Sequence, residues 1–213
     1  MRTGQPEDGS TQAVADGASA VAWVDTHIAQ GACAYPITPS TPMGEAFERS
    51  VAAGETNLWG DQLVFLEPES EHSSASACEG FALAGGRVSN FTSGQGLVLM
   101  KEVLYTIAGK RLPVVFHIGA RALTSQSLNV HAGHDDVMAV ADTGWGMLFA
   151  RNAQESGDMA LIARRAAEDS QTPFLHGPGR FRDHSHGPRP APAARGAYEG
   201  VHRRPRRANQ KPL

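Results

Sequence analysis

Cysteine is scarce in this sequence, with only Cys33 and Cys78 among 213 residues. Two cysteines cannot build a disulfide framework, and without a Cys-x-x-Cys pair the sequence offers no recognisable zinc or iron–sulfur site. Long apolar runs are also missing, since no stretch approaches the roughly 18–20 residues of a membrane-spanning helix. Residues 1–10 are polar and lack the apolar region of a signal peptide. These features favour a cytoplasmic protein that does not act in a membrane.

Net charge is small as well, at −3, but it averages two unlike segments. Residues 177–213 contain eight Arg and one Lys against two acidic residues, a net charge of +7, so residues 1–176 carry −10. The basic segment is rich in Pro, Gly and Ala and has no apolar periodicity. One interpretation is a basic disordered tail. The interpretation that we favour is loss of the coding frame near His176, because GC-rich DNA read out of frame yields these residue types.

Nucleic acid is not an expected partner of this basic segment. Its arginines are not interleaved with aromatic residues at a regular spacing, and no nucleic-acid-binding module is present.

Apolar patterning predicts one α/β domain over residues 11–176, after ten disordered residues. Helix and strand patterns alternate, which is typical of a parallel sheet with helices on both faces. Predicted helices cover residues 11–30, 42–53, 70–84, 94–108 and 154–167, with a short one near residue 137. Predicted strands cover residues 32–35, 63–66, 88–92, 113–118, 147–150 and 173–176. Ligands bind at the carboxyl ends of the strands in such sheets, so the loops that follow strands are the candidate sites.

Three prolines within residues 36–42 predict a stiff loop after the first strand. The loop carries the hydroxyls of Thr38, Ser40 and Thr41, which can hydrogen-bond a carboxylate or a phosphate. Ser40 and Thr41 lie just before the helix that begins near Pro42, so we expect them to cap it. Thr38 lies too far from that helix to cap it and is the candidate for ligand binding.

Three carboxylates, those of Glu67, Glu69 and Glu71, follow the second strand at two-residue spacing. Acidic residues are favourable at a helix N-terminus, which suffices to explain Glu69. The following helix has a small-residue surface at residues 73–77 and can approach a neighbouring element closely. A carboxylate that leads such a helix is partly desolvated, and this environment suits a proton-relay acid.

Two further loops carry groups that can bind an anion. Gly94 and Gly96 join the third strand to a helix, where glycine lets backbone N–H groups approach an anion, although tight packing demands glycine equally. Arg121 follows the fourth strand, and its guanidinium can hold a carboxylate through two parallel hydrogen bonds. A surface arginine without a ligand is the alternative.

Residues 131–136 include His131, His134, Asp135 and Asp136, which are metal-ligating residue types. The two aspartates most simply cap a helix that begins near Val137. We therefore predict no metal site in this chain.

Taken together, these segments resemble the N-terminal domain of the pyruvate:ferredoxin (flavodoxin) oxidoreductases, within the wider 2-oxoacid:ferredoxin oxidoreductase family. Tyr-Pro-Ile-Thr-Pro-Ser at residues 35–40 combined with Phe-Thr-Ser-Gly-Gln-Gly-Leu at residues 91–97 is the specific signal. The other matching stretches follow in the family's order: residues 43–45, 70–71, 116–117, 120–122, 133–136, 143–144 and 173–176.

The resemblance implies a thiamine-diphosphate-binding fold of the pyrimidine-binding type. It implies that Glu71 hydrogen-bonds N1′ of the aminopyrimidine and favours the imino tautomer, a role both catalytic and cofactor-binding. It also implies that Thr38 and Arg121 hold the carboxylate and carbonyl of pyruvate or another 2-oxoacid. The implied reaction is oxidative decarboxylation to acyl-CoA, with coenzyme A as acyl acceptor and ferredoxin or flavodoxin as electron acceptor.

Other parts of that enzyme are expected on other domains or subunits. No Gly-Asp-Gly segment followed by Asn, the metal and diphosphate site of thiamine enzymes, is present in the sequence, and cluster-binding cysteines are lacking. Mg²⁺ and the iron–sulfur clusters are therefore expected elsewhere in a complete enzyme, which the resemblance implies is a homodimer. We expect no activity from this chain alone, and the alternative is a truncated or frame-shifted fragment without turnover.

Four departures from the family pattern bear on the site. Pro68 and Glu69 stand where relatives often carry Met and Gln, so the charge near Glu71 is higher. Gly94 stands in place of Ser, and residues 126–131 differ, which leaves the preferred 2-oxoacid open. After residue 176 the family's Phe-Phe-Asp-Gly-Phe-Arg is replaced by Gly-Pro-Gly-Arg-Phe-Arg.

Overall fold

A computed structural model describes residues 15–177, where six parallel strands form one sheet in the order β2-β1-β3-β4-β6-β5. The strands are β1 (Gly31–Ala34), β2 (Val64–Leu66), β3 (Val88–Thr92), β4 (Val115–Ile118), β5 (Gly146–Phe149) and β6 (Phe174–Gly177). The helices are α1 (Gly17–Ile28), α2 (Thr41–Ala52), α3 (Glu71–Leu83), α4 (Gly94–Leu99), α5 (Lys101–Gly109), α6 (Asp135–Ala139) and α7 (Ala153–Ser170). The predictions for residues 1–14, including the predicted start of the first helix, and for residues 178–213 lie outside the described residues.

Helices cover both faces of the sheet, which confirms the predicted fold class. Buried residues of α1, α2 and α7 pack on one face, and those of α3 to α6 pack on the other. The central strands β1, β3 and β4 are buried along their whole length, as expected for parallel strands covered on both sides. Among these helices, none is long and apolar enough to cross a membrane.

The chain reverses direction across the sheet after β1. It passes to β2 on one side and then returns to β3 on the other. The loops that leave β1 and β3 therefore diverge at the carboxyl edge, and such a divergence leaves the crevice where α/β sheets bind ligands. The loop after β4 lies next to this crevice because β4 pairs with β3.

Most differences from the predicted elements are one or two residues at an end. Strand β6 extends one residue past the predicted boundary, because Gly177 pairs with Phe149 of β5. The predicted helix over residues 94–108 is two helices, α4 and α5, separated at Met100. No Pro or Gly interrupts residues 99–101, so this division has no signal in the sequence.

A chain of buried polar groups lies between the sheet and the α1 and α7 layer. His117 Nε2 lies 2.8 Å from Asp25 Oδ2, and His117 Nδ1 lies 2.8 Å from His176 Nδ1. Arg164 of α7 donates to the Val88 carbonyl at 2.8 Å and to Ser89 Oγ at 2.9 Å. The residues that carry these side chains are at most 1% exposed. Their polar atoms therefore depend for hydrogen-bond partners on one another and on nearby backbone carbonyls.

Burial shifts the pKa values of two groups in this buried polar cluster. Desolvation, reinforced by the neighbouring His117, holds the pKa of His176 well below its usual value. Burial by itself raises the pKa of Asp25, but the charge and hydrogen bond of His117 and the charge of Arg164 outweigh burial and lower it. His176 is thus neutral and Asp25 ionised in the folded protein near neutral pH.

Candidate active site

Arg121 connects three loops at the carboxyl edge of the sheet. Its Nη1 donates to the carbonyl oxygen of Thr38, after β1, and its Nη2 donates to Oε1 of Gln95, after β3. The residue itself follows β4 and is only 5% exposed. The alternative of a surface arginine is therefore wrong, because burial of a guanidinium requires the partners that these loops provide.

Thr38 lies beside Arg121 and meets the guanidinium through its backbone carbonyl. The residue is exposed, and the peptide bond to Pro39 is cis. No hydrogen bond of the Thr38 hydroxyl is found within residues 15–177, so this hydroxyl is available to a ligand at the crevice.

The prediction that Ser40 and Thr41 cap α2 is wrong, because neither hydroxyl group makes a capping hydrogen bond. Ser40 is the residue before α2, but its Oγ donates to the Ile37 carbonyl at 2.8 Å and makes no cap hydrogen bond. Thr41 is already the first residue of the helix. Ser40 has helical backbone angles (φ −81°, ψ −15°) instead of the extended conformation that directs a capping side chain at the helix.

Glu71 is the first residue of α3 and is half-buried, in agreement with the expected partial desolvation. Ser70 caps the helix by accepting from the Ser73 amide at 3.2 Å, which leaves the Glu71 side chain for another purpose. Among residues 15–177 the Glu71 carboxylate has no hydrogen bond or ion pair. Glu69 instead accepts from the Ser73 hydroxyl at 2.7 Å, and this hydrogen bond lowers the pKa of Glu69.

Gly96 provides the space into which Glu71 packs. A Cβ at Gly96 would lie 2.7 Å from Glu71 Cγ, 2.8 Å from Glu71 Oε1 and 2.9 Å from Thr92 Oγ1. Real Cβ atoms do not approach other atoms so closely. The second glycine of the Gly-x-Gly pair is therefore required by close approach of the carboxylate to the start of α4.

Gly94 plays a different part, because its amide binds an anion of the protein itself. Its N–H donates to Oδ2 of Asp136 at 2.8 Å, so this amide is not free for a ligand as the Gly-x-Gly pattern had suggested. Gly94 has a positive φ of +50°, and a Cβ there would lie 2.9 Å from the Cζ atom of Arg121. Both the conformation and the arginine favour glycine at this position.

The structure corrects the roles predicted for Asp135 and Asp136. Helix α6 begins at Asp135 and has no side-chain cap from its N-cap residue, His134, although Asp136 Oδ1 accepts from the Val137 amide in the first turn at 2.8 Å. Asp136 is fully buried and accepts from the amides of Gly94 and Arg121, while Asp135 Oδ2 accepts from the Leu123 amide at 3.2 Å. Burial raises the pKa of Asp136, although these amides partly counter the rise.

Sequence reasoning missed Asp136 because its partners lie 42 and 15 positions away along the chain. In the described part of the chain, no group of three or more His, Cys, Asp or Glu side chains is placed to hold a metal ion.

The β3–α4 turn, residues 93–97, brings the three predicted site residues together. Glu71 packs against Gly96 of this turn, and Arg121 packs against Gly94 two residues earlier. Thr38 is bound to Arg121 through its carbonyl. A half-buried carboxylate, a buried guanidinium and an exposed threonine thus lie close to one turn at the carboxyl edge of the sheet.

This arrangement defines the class of the domain as a parallel α/β fold with a candidate site at the carboxyl edge of its sheet. The fold is similar to that of the 2-oxoglutarate:ferredoxin oxidoreductase from Magnetococcus marinus, a structure that has 2-oxoglutarate, coenzyme A and succinyl-CoA bound. The TM-score is 0.67 at 22% identity, over 83% of this chain and 31% of that one.

The chain belongs to the family described as pyruvate flavodoxin/ferredoxin oxidoreductase, thiamine diphosphate-binding, whose model matches residues 26–212. This membership confirms the family predicted from the sequence. Similar relatives include the pyruvate-flavodoxin oxidoreductase of Klebsiella pneumoniae, 43% identical over 161 residues, and the pyruvate:ferredoxin oxidoreductase of Moorella thermoacetica, 42% identical over 161 residues. Each alignment covers 76% of this chain but only 14% of the relative. The chain therefore spans about one seventh of the length of these relatives.

Proposed function

We propose that this domain supplies the pyrimidine-activating carboxylate and the 2-oxoacid contacts of a thiamine-diphosphate-dependent 2-oxoacid (pyruvate) ferredoxin or flavodoxin oxidoreductase. The observation that carries the proposal is the joint placement of Glu71 and Arg121 on the β3–α4 turn. Within residues 15–177, one is a carboxylate without a hydrogen-bond or ion-pair partner, and the other is a buried cation with unused donors. Those are the groups that proton movement on a cofactor and binding of an anionic substrate require.

Glu71 fits the role of the acid that hydrogen-bonds the aminopyrimidine. It is half-buried and its oxygens have no partner among residues 15–177, so a ring nitrogen can take that place without displacing a protein group. Thiamine diphosphate, when bound, would supply the electron sink for cleavage between the carboxylate and the 2-oxo carbon. Glu71 holds the proton at N1′, and in this position it sets which tautomer of the aminopyrimidine is present.

Arg121 and Thr38 fit the role of substrate contacts. A guanidinium has five N–H donors, and among the described residues Arg121 uses two of them, on Thr38 and Gln95. Its Nε has no hydrogen-bond partner within the described chain although it is buried. The remaining donors, together with the Thr38 hydroxyl, can bind the carboxylate and carbonyl oxygens of a 2-oxoacid.

The remaining components are assigned to other parts of the enzyme. We propose that Mg²⁺ and the iron–sulfur clusters are bound by other domains or subunits, that coenzyme A takes the acyl group, and that ferredoxin or flavodoxin takes the electrons. A homodimeric complete enzyme in the cytoplasm is part of the same proposal. The alternative of a truncated or frame-shifted fragment without turnover remains a prediction, which mass spectrometry of the native C-terminus tests.

The decisive experiment substitutes Glu71 in an enzyme reconstituted from this chain and the remaining domains of the oxidoreductase. We expect Glu71→Gln to lower pyruvate-dependent decarboxylation by about 10²-fold, because an amide cannot exchange the proton that a carboxyl group does. Glu69→Gln is the matched control, since it makes the same charge change two residues away at an exposed side chain. Equal turnover in the two variants would reject the role of Glu71.

A further inference from the structure

The buried carboxylate of Asp136 joins two loops of the site that are distant in sequence. Its Oδ2 accepts from the Gly94 amide at 2.8 Å and from the Arg121 amide at 3.1 Å, and its Oδ1 accepts from the Val137 amide at 2.8 Å. The side chain is fully buried, so water does not compete for these amides. One carboxylate therefore fixes the distance between the β3–α4 turn and the end of β4.

That distance determines what the Arg121 guanidinium can reach. Its Cζ atom lies 2.9 Å, and its Nη2 atom 3.0 Å, from the point where a Cβ of Gly94 would be, so the group fills the space above this glycine. From there Nη2 reaches Gln95 and Nη1 reaches Thr38. A shift of about one ångström between the two loops would misalign both hydrogen bonds, since these weaken steeply with distance and angle.

A carboxylate is the side chain that suits this position. Its two oxygens together accept all three amides, whereas an asparagine has one acceptor oxygen and an amino group that donates. Asparagine can therefore still accept from Gly94 and Arg121 but would direct N–H toward the Val137 amide. Alanine would leave all three amides without an acceptor in a buried place.

We propose that Asp136 is a positioning residue for Arg121. By holding Gly94 and Arg121 together, it places the guanidinium where a substrate carboxylate enters the crevice. The inference rests on the proposed function only in taking Arg121 as the group that binds the 2-oxoacid.

The first test measures the placement of Arg121 without cofactor or turnover. The full chain is treated with phenylglyoxal, which modifies accessible arginines, and each site is quantified by peptide mass spectrometry. Arg151, whose side chain is 84% exposed, is the internal reference for the reactivity of the reagent. Asp135→Ala is the matched control, because Asp135 is an exposed neighbour that accepts from one amide only.

We expect Asp136→Ala to raise the modification rate of Arg121 by about tenfold or more, the scale of one lost hydrogen bond. Asp136→Asn should give an intermediate rate because it keeps the acceptor for the two loops. Asp135→Ala should leave Arg121 unchanged, and Arg151 should react equally in every variant. If phenylglyoxal modified Arg121 at the same rate in Asp136→Ala as in the unsubstituted chain, the proposal would be overturned.

A second measurement uses the unsubstituted chain and does not require the Asp136→Ala variant to fold. Hydrogen exchange followed by NMR on the unsubstituted chain should show protected amides at Gly94 and Arg121, because both bind the same buried carboxylate. Protection supports the proposal even if Asp136→Ala does not fold, and exchange at unprotected rates would overturn it.

Activity provides the readout that separates positioning from general destabilisation. In the reconstituted enzyme, Asp136→Ala should raise KM for pyruvate about tenfold and Asp136→Asn should raise it by less, each with a smaller change in kcat, because a displaced Arg121 binds the substrate carboxylate more weakly. An unchanged KM would contradict a positioning role. A different result would contradict the proposed function, namely turnover that Glu71→Gln does not change. That result would not alter the phenylglyoxal and hydrogen-exchange results, which test the position of Arg121 alone.

Discussion

The buried contact between His117 and His176 predicts how the stability of this domain changes with pH. The two Nδ1 atoms lie 2.8 Å apart, and such a contact needs a hydrogen on one nitrogen and a lone pair on the other. Desolvation and the neighbouring His117 hold the pKa of His176 well below 6.5, so the folded protein keeps His176 neutral in mild acid.

The unfolded chain behaves differently, because an unperturbed histidine takes up a proton below about pH 6.5. The unfolded state then binds more protons than the folded state, so the free energy of unfolding falls as the pH falls below this value. For one histidine the slope is about 1.4 kcal/mol per pH unit, which gives a loss of about 1.4 kcal/mol between pH 7.5 and pH 5.5. Asp25 acts in the same direction but only below its unfolded pKa of 3.8, since its folded pKa is lower still.

Urea denaturation at pH 7.5, 6.5 and 5.5 measures this loss directly. We expect His176→Gln to remove it, whatever the effect of the substitution on stability at pH 7.5, because glutamine does not titrate. His134→Gln, at an exposed histidine, should keep the pH dependence of the unsubstituted chain. A His176→Gln variant that loses as much stability between pH 7.5 and pH 5.5 as the unsubstituted chain would refute the reasoning.

Three substitutions test packing around the site and the core. Gly96→Ala should cost about 1–3 kcal/mol and lower turnover, because its Cβ would overlap the Glu71 side chain; chemical denaturation and decarboxylation assays measure the two effects. Gly80→Ala in α3 meets nothing within 4 Å and should instead stabilise the domain by about 0.5–1 kcal/mol in the same denaturation assay, so a loss would contradict the helix. Arg164→Met should cost about 3–5 kcal/mol by urea denaturation, because it leaves the buried Asp25 carboxylate without the nearby positive charge of Arg164; an unchanged stability would contradict this account.

The periodicity of apolar residues was enough to predict the sheet and its two helical layers. Strand β3 lies at residues 88–92 as predicted, and the other strands differ by one or two residues at an end. Strands buried on both faces are short apolar runs between turn residues, and this signal is local. The order of the strands does not follow from such local patterns, because pairing joins β1 to both β2 and β3 across long connections.

The positions of single site residues could be predicted from the loops that follow strands. Contacts that join distant segments of the chain could not. Glu71 and Arg121 lie where the strand-end argument expected them, although their roles remain proposals. The hydroxyl of Ser40 was misassigned because capping depends on the backbone angles of the residue, which its type does not determine. Asp136 was misassigned because nothing in its neighbouring residues reveals that its acceptors face Gly94 and Arg121.

The attachment of Arg121 to Thr38 links residues 83 positions apart, and the bonds of Asp136 join two further segments. Contacts of such long sequence separation form only when the chain is largely folded. The crevice is therefore a property of the whole domain instead of one loop, and it is lost when the domain unfolds. A ligand that binds at Arg121 binds the folded state alone, so it stabilises the entire sheet by an amount that rises with the ratio of ligand concentration to Kd.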